Sequence, residues 1–363
     1  MKKHLYLLVL SIVTSLLLTS CNNNNISNPT NNPQNIILLI GDGMSTPQIC
    51  AAMLATEKTT SFEQFPVSGL VKTYSKSHKI TDSAAGGTAI AIGQKTNNGM
   101  IGMNSDSIPA ESILEILSDR GMKTGLIATS YITHATPASF VAKNINRNNY
   151  EEIASNFANC EKVDLLIGGG RKHFNKRSDS LNLIEKMQAD GWNYYDTLIN
   201  IDTNIEKLLV LADENHLPSY PQRGNFLPDA TSIALKNLEN PNGFFLMIEG
   251  SQIDFACHNN DSTYLVYEML DFCNTINSVL DYAKENQNTL VIVTADHETG
   301  GLSIIDPDGR YTKTEFHFSN GSHSPLLVPI FAFGPGADNF TGIMENTDIM
   351  KKILETLTFD ADF

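Results

Sequence analysis

Acidic, imidazole and hydroxyl side chains follow four apolar segments of this chain, and all of them are types that bind divalent metal ions. They are Asp42 after the first segment, His134 and Thr136 after the second, Glu249 at the end of the third, and Asp296 and His297 after the fourth. Charged groups held close together and away from water cost free energy unless a cation compensates them. The pattern therefore predicts a metal centre.

Two further groups of candidate ligands lie in the second half of the chain. Asp254 and His258 are four residues apart, so both point the same way if their segment is helical. His323 stands in the polar turn NGSHSP. Mixed carboxylate and imidazole ligands suit zinc, whereas oxygens from Asp, Glu and Thr suit magnesium. The candidates divide along those lines.

A candidate nucleophile lies in the stretch TDSAAGGTAI, Thr81 to Ile90. The density of Ala, Gly and Thr indicates the start of a helix that packs closely against its surroundings. Ser83 falls where the first free backbone N–H groups of that helix would point, and such groups bind anions. Asp82 would repel an anionic substrate in the absence of cations, so we interpret it as a capping or orienting residue.

Short apolar runs must position these residues, and six of them are predicted to be strands. They are Asn35 to Ile40, Thr124 to Thr129, Val163 to Gly168, Phe244 to Glu249, Thr289 to Thr294 and Leu327 to Gly334. β-Branched residues without strict alternation indicate strands buried on both faces. Amphipathic helical patterns separate them, so we predict an α/β protein: a single large domain with a central, mostly parallel β-sheet flanked by helices on both faces. Parallel strands end at one edge, where ligands bind.

The N-terminal region is predicted to be a targeting segment. Residues 1–20 carry two lysines and then an apolar run that ends in LTSC, which is typical of a lipoprotein signal peptide. Cys21 would become the lipidated N-terminus, residues 21–34 an Asn-rich tether, and residues 35–363 the catalytic domain, with a peripheral insertion around 171–225. We therefore expect an exported protein, attached by its lipid to a bacterial envelope membrane and facing the periplasm or the exterior.

The charge balance excludes one class of partner. The whole chain has a net charge of −15, and removal of residues 1–20 lowers Lys+Arg from 25 to 23 against 40 acids, giving −17. This much negative charge argues against nucleic-acid binding through a basic patch. After Cys21, four cysteines remain in no C-x-x-C spacing, and the sequence does not pair them.

Several segments together resemble the ordered motif set of the alkaline phosphatases, across nearly the whole mature chain. They are GDGM, TDSAAGGTAIAIGQKTNNGMIGM, THATPASFVAKNINR, EGSQIDFACH, ADHETGG and GSHS. The resemblance implies hydrolysis of small-molecule phosphate monoesters at a site with two Zn²⁺ ions and one Mg²⁺ ion. It assigns Asp254, His258 and His323 to one zinc and Asp42, Asp296 and His297 to the other. Asp42, Thr136 and Glu249 would hold magnesium, with His134 beside it.

The same resemblance implies roles in the reaction. Ser83 would attack phosphorus in line, activated by the second zinc, and the first zinc would stabilise the leaving alcohol and then supply the water that hydrolyses the phosphoserine. Arg147 would hold two phosphate oxygens with its planar fork. The resemblance also favours a homodimer.

Two positions depart from much of the family. Phe255 stands where many relatives carry Lys or His able to reach the phosphate through water, and His134 stands where some bacterial members have an acid beside the magnesium. An imidazole there weakens the case for strict magnesium selectivity. His317 is the rival of His323 as a ligand, but its FHF context is typical of a strand.

Three alternatives remain at the level of the sequence. A sulfatase of the same superfamily would need a C/S-x-P-x-R context, which DSAAG lacks. A phosphodiesterase commonly has Thr as nucleophile and no arginine clamp. An inactive, metal-dependent phosphate-binding lipoprotein would have no need of both Ser83 and Arg147.

Overall fold

Ten strands form one mixed β-sheet in the computed structural model, which describes residues 32–202, 205–307, 309 and 314–357. All strands in the described residues, including two short pairs outside the sheet, are β1 (Asn35–Gly41), β2 (Val67–Lys72), β3 (Lys123–Tyr131), β4 (Leu165–Gly169), β5 (Asn193–Tyr195), β6 (Leu208–Leu211), β7 (Phe244–Gly250), β8 (Thr289–Thr294), β9 (Glu298–Thr299), β10 (Leu302–Ile305), β11 (Glu315–Phe318), β12 (His323–Ser324), β13 (Val328–Phe333) and β14 (Gly342–Glu345).

Helices connect and cover the strands. They are α1 (Thr46–Leu54), α2 (Ser83–Ile92), α3 (Ile113–Asp119), α4 (Ala135–Ala138), α5 (Tyr150–Ala158), α6 (Lys172–Asn175), α7 (Leu183–Ala189), α8 (Phe226–Asn237), α9 (Gln252–His258), α10 (Ser262–Glu285) and α11 (Asp348–Thr356), with 3₁₀ turns at Ser61–Gln64 and Ala337–Phe340. The described residues belong to one compact unit, Asn31–Phe363. Among them, no helix has the length and hydropathy needed to cross a bilayer.

The strand order is β14-β2-β13-β8-β1-β7-β3-β4-β6-β5, and only β13 runs antiparallel to its neighbours. The predicted fold class is confirmed, and all six predicted strands are present. The central strands β1, β7 and β8 are buried along their whole length because helices cover the sheet. Each fully buried Ile or Leu side chain there contributes about 1.5–3 kcal/mol.

The segment 171–225 adds strands to one edge of the sheet. β6 pairs with β4 and β5 pairs with β6, both in parallel. Further along, the buried Arg223 forms ion pairs with Glu268 and Asp271 of α10, at 2.5 and 2.6 Å. The segment is thus fixed to the body of the domain at both its strands and its C-terminal part. The predicted signal peptide, Cys21 and residues 21–31 of the predicted tether lie outside the described residues.

The register brings the ends of the central strands to the same level. Ile40 of β1 is paired with Glu249 of β7 on one side and with Thr294 of β8 on the other. Asp42 and Asp296 follow directly, so the residues beyond these strands share one rim of the sheet. This is the carboxyl edge on which the sequence predicted the ligands to gather.

Candidate active site and metal centre

Three overlapping groups of carboxylates and imidazoles lie at this rim, each with its ligand atoms within 4.8 Å of one another, and all of their members except the half-buried His323 are buried. The groups are Asp254 with His297 and His323, Asp42 with Asp296 and His297, and Asp42 with His134 and Glu249. His297 belongs to the first and second groups, and Asp42 belongs to the second and third. The arrangement is therefore a row of three adjacent candidate cation positions.

The first group is built by α9, by the loop after β8 and by β12, whose first residue is His323. Asp254 and His258 are one helical turn apart, with His258 Nε2 3.3 Å from Asp254 Oδ2. His323 Nε2 lies 3.2 Å from His258 Nε2 and 3.7 Å from Asp254 Oδ1. His258 is thus in place beside the group, as the sequence predicted. The His323 ring is oriented through Nδ1, which donates to the carbonyl oxygen of Thr81 at 2.8 Å in the tautomer that leaves Nε2 free.

The second group follows β1 and β8. His297 Nε2 lies 3.5 Å from Asp42 Oδ1 and 3.2 Å from Asp296 Oδ2. Asp296 Oδ1 accepts hydrogen bonds from the backbone N–H groups of Gly43 and His297, at 3.3 and 3.0 Å. These bonds fix the carboxylate and leave Oδ2 turned towards the other ligands.

The third group lies between β1, β7 and α4. Its buried polar atoms include several with no hydrogen-bond partner among the described residues: both carboxylate oxygens of Asp42, Oε1 of Glu249, Oγ1 of Thr136 and Nδ1 of His134. Glu249 Oε2 is held by the hydroxyls of Ser251 and Ser130, at 2.6 and 3.3 Å. Buried polar atoms are rarely left unpaired, so a cluster of four oxygens is a site for a cation.

Electrostatics supports the same conclusion. Burial and the charge of Asp296 raise the pKa of Asp42 well above its ordinary value. Burial and the charge of Asp254 raise the pKa of Asp296 to about 8, and burial raises the pKa of Glu249 to about 7. Carboxylates that repel one another in this way take up protons unless a cation neutralises them. The chemistry of the donor atoms and the unpaired buried oxygens therefore both fit the binding of divalent cations.

Ser83 begins α2 and lies beside the second group. Its Oγ is 3.1 Å from His297 Nε2, and the residue is buried. Asp82 is the N-cap and accepts from the backbone N–H of Ala85 at 3.0 Å, in the capping role predicted for it. The position of Gly86 requires a residue without a side chain, because a Cβ there would lie 2.9 Å from the carbonyl oxygen of Asp296. The helix can approach the ligands only with glycine at this position.

Arg147 reaches the same place from the loop before α5. Its Nη1 donates to Asp82 Oδ2 at 3.1 Å, and its Nη2 lies 3.3 Å from His134 Nε2. Asp82 Oδ2 also accepts from the backbone N–H of Gly99, whose carbonyl oxygen accepts from the backbone N–H of Arg147. The guanidinium is therefore held beside the start of α2, next to Ser83, and beside the third group.

Comparison with known proteins decides the family. A sequence profile described as alkaline phosphatase matches residues 33–314. Alkaline phosphatase 3 of Bacillus subtilis is 32% identical, over 90% of this chain and 89% of its own. The chain belongs to the alkaline phosphatase family. Among solved structures, the alkaline phosphatase of the Antarctic bacterium TAB5 has 40% identity and a TM-score of 0.87, covering 91% of this chain and 99% of its own. A cold-active alkaline phosphatase of Shewanella sp. has 30% identity and a TM-score of 0.81, covering 90% and 100%.

One buried acid of this alkaline phosphatase family member was missed by the sequence analysis. Glu298 follows His297 directly and accepts hydrogen bonds from Gln48 Nε2, from the backbone N–H groups of Gly301 and Leu302, and from the hydroxyl of Ser324. Ser324 follows His323, and β9 and β12 pair through these residues. Glu298 thus ties together the two loops that carry His297 and His323. Its place in ADHETGG was the available signal, but two of its partners, Gln48 and Ser324, are distant in sequence.

Other residues discussed from the sequence take structural positions. His317 lies in β11, as predicted, and pairs with Ser303 of β10. Cys257 is buried and contacts Gln48, and each of the four cysteines among the described residues is free. Phe255 packs edge-on against His134, with ring centroids 5.9 Å apart.

Proposed function

We propose that this family member hydrolyses phosphate monoesters and releases inorganic phosphate through a phosphoserine at Ser83. The observation that carries the proposal is the position of the Ser83 hydroxyl, 3.1 Å from His297 Nε2 at the centre of the row of candidate cation positions. A hydroxyl at the buried start of a helix, next to metal-ligand chemistry and an arginine, is placed for attack on a bound phosphate.

The donor sets favour zinc at the first two positions and magnesium at the third. The first two combine carboxylates with imidazoles, namely Asp254, His258 and His323 for one ion and Asp42, Asp296 and His297 for the other. The third offers oxygens of Asp42, Thr136 and Glu249 beside His134. A structure of the TAB5 enzyme, in a variant with one histidine replaced by aspartate, has magnesium in a site called M3. When bound, such ions lower the pKa of hydroxyl groups and stabilise the attacking and leaving oxygens.

The residues of the chain itself would bind and orient the phosphate. The free N–H groups at the start of α2 offer hydrogen bonds to phosphate oxygens, aided by the helix dipole. Arg147 would bind two non-bridging oxygens, which a terminal phosphate offers more readily than a diester does. Asp82 keeps the guanidinium in place. As the bond from Ser83 Oγ to phosphorus forms, the bond from phosphorus to the alcohol oxygen would break, and the proton lost by Ser83 is balanced by the one that the departing alkoxide takes up from water.

The deciding experiment compares an aryl phosphate monoester with the matching diester at alkaline pH, before and after chelation. We expect rapid hydrolysis of the monoester, loss of activity after chelation, and recovery with zinc and magnesium. Faster hydrolysis of the diester would instead support the phosphodiesterase alternative. Metal binding without turnover of either substrate would support the inactive phosphate-binding protein.

We also propose that the mature protein is exported, anchored by a lipid on Cys21 and assembled as a homodimer. The support is the LTSC box after an apolar run for the anchor, and family resemblance for the dimer. Replacement Cys21→Ser should move the protein from the membrane fraction to the soluble fraction. Light scattering of the soluble form should give twice the mass of one chain, and a monomer mass would contradict the dimer.

A further inference from the structure

A basic groove lies on the same rim of the sheet as the metal centre. The cavity has a volume of about 730 Å³, and its charged lining residues are Lys72, Lys76, Lys79 and Lys95. No Asp or Glu is among its lining residues. This concentration of positive charge contrasts with a chain of net charge −15. A cleft lined by charges of one sign raises the local concentration of oppositely charged ligands.

The lysines of the groove are only partly neutralised. Lys72 and Lys95 share one carboxylate, that of Glu345, at 2.8 and 3.3 Å. Lys76 and Lys79 are exposed, and within the described part of the chain their ammonium groups have no hydrogen-bond or ion-pair partner. The groove therefore keeps an excess of positive charge directed to solvent.

Sheet topology places the groove next to the active site. β13 is antiparallel to β8, and the pairing of Phe331 with Val293 puts the beginning of β13 level with the residues that follow β8. β2 is antiparallel to β13, and Val71 is paired with Val328, so Lys72 reaches this rim too. With neighbouring strands about 4.8 Å apart, the end of β2 lies roughly 10 Å from β8 and 15 Å from β1.

The chain joins the groove to the catalytic residues over short distances. Lys79 precedes Ser83 by four residues, so their Cα atoms are at most about 14 Å apart. Pro325, another residue that lines the groove, follows His323 by two residues. The backbone N–H of Lys76 donates to the carbonyl oxygen of Thr96 at 2.8 Å, so this part of the groove is fixed in place.

We infer that the basic groove binds a second phosphate or phosphonate group of the substrate, on the leaving-group side of the reacting ester, and so favours substrates with two anionic ends. The inference rests on the proposed function. The reacting phosphate would occupy the site of Ser83 and Arg147, while the remote anion pairs with Lys76 and with Lys79, whose Cα atom lies at most about 14 Å from that of Ser83. Favourable charge contacts at that distance act on binding rather than on the chemical step.

The test compares hexyl phosphate with 6-phosphonohexyl phosphate, which has the same single hydrolysable ester and a remote dianion. In the parent enzyme at low ionic strength, kcat/KM should be about tenfold higher for the phosphonate compound, and the gain should shrink as salt is added. The double variant Lys76→Ala, Lys79→Ala should lose most of that gain and keep its kcat/KM for hexyl phosphate.

The control is Lys236→Ala. Lys236 is an exposed lysine near the end of α8. The next residue, Asn237, accepts a hydrogen bond from Lys123, the first residue of β3, so Lys236 lies near the amino ends of the strands and away from the rim with the metal centre. The substitution should leave kcat/KM unchanged for both substrates. Equal kcat/KM for the two substrates in the parent, a gain that survives the double substitution, or a change in oligomeric state instead of selectivity would overturn the inference. Failure of the parent to hydrolyse either compound would overturn the proposed function and the inference with it.

Discussion

At the scale of single residues, the site is a set of side chains whose charges are unfavourable on their own. The pKa of Asp42 and Asp296 is raised by burial and by neighbouring carboxylates. By contrast, the hydrogen bond with Asp254 raises the pKa of His258 to about 9. Ser83 lies where these groups converge, and each of its neighbours has a role that a substitution can isolate.

The replacement Ser83→Ala should abolish turnover and spare the metal sites. It removes the attacking oxygen, so we expect kcat to fall at least about 1,000-fold. Zinc content, measured by mass spectrometry of the dialysed protein, should not change. The control is Ser139→Ala, which removes another buried hydroxyl that contacts Thr88 and Ala135 instead. Similar rates for Ser83→Ala and the parent would exclude a phosphoserine route.

The replacement Asp82→Asn should separate helix capping from orientation of Arg147. Asn caps helices as well as Asp does, so the start of α2 should persist. The ion pair with Arg147 at 3.1 Å is lost, however, and the guanidinium becomes less well positioned. We expect KM to rise about three- to tenfold with a smaller change in kcat, and a melting temperature only slightly below that of the parent, because one bond from the Gly99 N–H is lost as well. A lower melting temperature at unchanged KM would assign Asp82 to capping alone.

At the scale of elements, the central strands that lead to the candidate ligands were predictable, whereas β2 and the edge strand β5 were not. β1, β7 and β8 are continuous apolar runs because both of their faces are buried. β2 reads VSGLVK and β5 reads NYY, and a short polar or glycine-containing strand has no such signature. The sequence therefore predicted the rim from the central strands. It did not predict the basic groove, which begins at the end of β2.

The small β9 and β12 pair is expected to determine how well zinc is held. Glu298→Gln would place an amide N–H₂ group among four hydrogen-bond donors and loosen the loops of His297 and His323. Loss of such a supporting contact typically weakens metal affinity about 10- to 100-fold. Zinc affinity should be measured by competition with a chromogenic chelator.

The matched control for this change is Glu315→Gln, at an exposed position of β11. It should leave zinc affinity at the parent value. Equal affinity in Glu298→Gln and the parent would show that the loops hold their ligands without the carboxylate.

At the scale of the whole molecule, cations and fold should stabilise each other. In the folded apoprotein the pKa of Asp296 is about 8, that of Glu249 about 7 and that of His258 about 9, all above the values of the unfolded chain. Burial lowers the pKa of His134 and His297, so these histidines bind fewer protons in the folded state and offset the excess below about pH 7. Between about pH 7 and 9 the folded state binds more protons than the unfolded state, so the apoprotein should lose stability as pH rises through that range. Bound cations replace those protons, so the metal-loaded protein should not lose stability as pH rises.

The difference in pH dependence between the two forms can be measured by calorimetry of metal-free and metal-loaded protein. The melting temperature of the metal-free form should fall by several degrees between pH 7 and pH 9, while that of the loaded form stays level or rises. Parallel curves for the two forms would mean that the buried carboxylates are not the cation ligands.

The central claim is that divalent ions gather at one rim of the sheet around Ser83. Crystals grown with zinc and magnesium, with diffraction recorded above and below the zinc absorption edge, test it most directly. Two anomalous peaks are expected, one between Asp254, His258 and His323 and one between Asp42, Asp296 and His297, with a non-anomalous ion by Glu249 and Thr136. Absence of zinc from both positions, or zinc bound only elsewhere on the protein, would contradict the account.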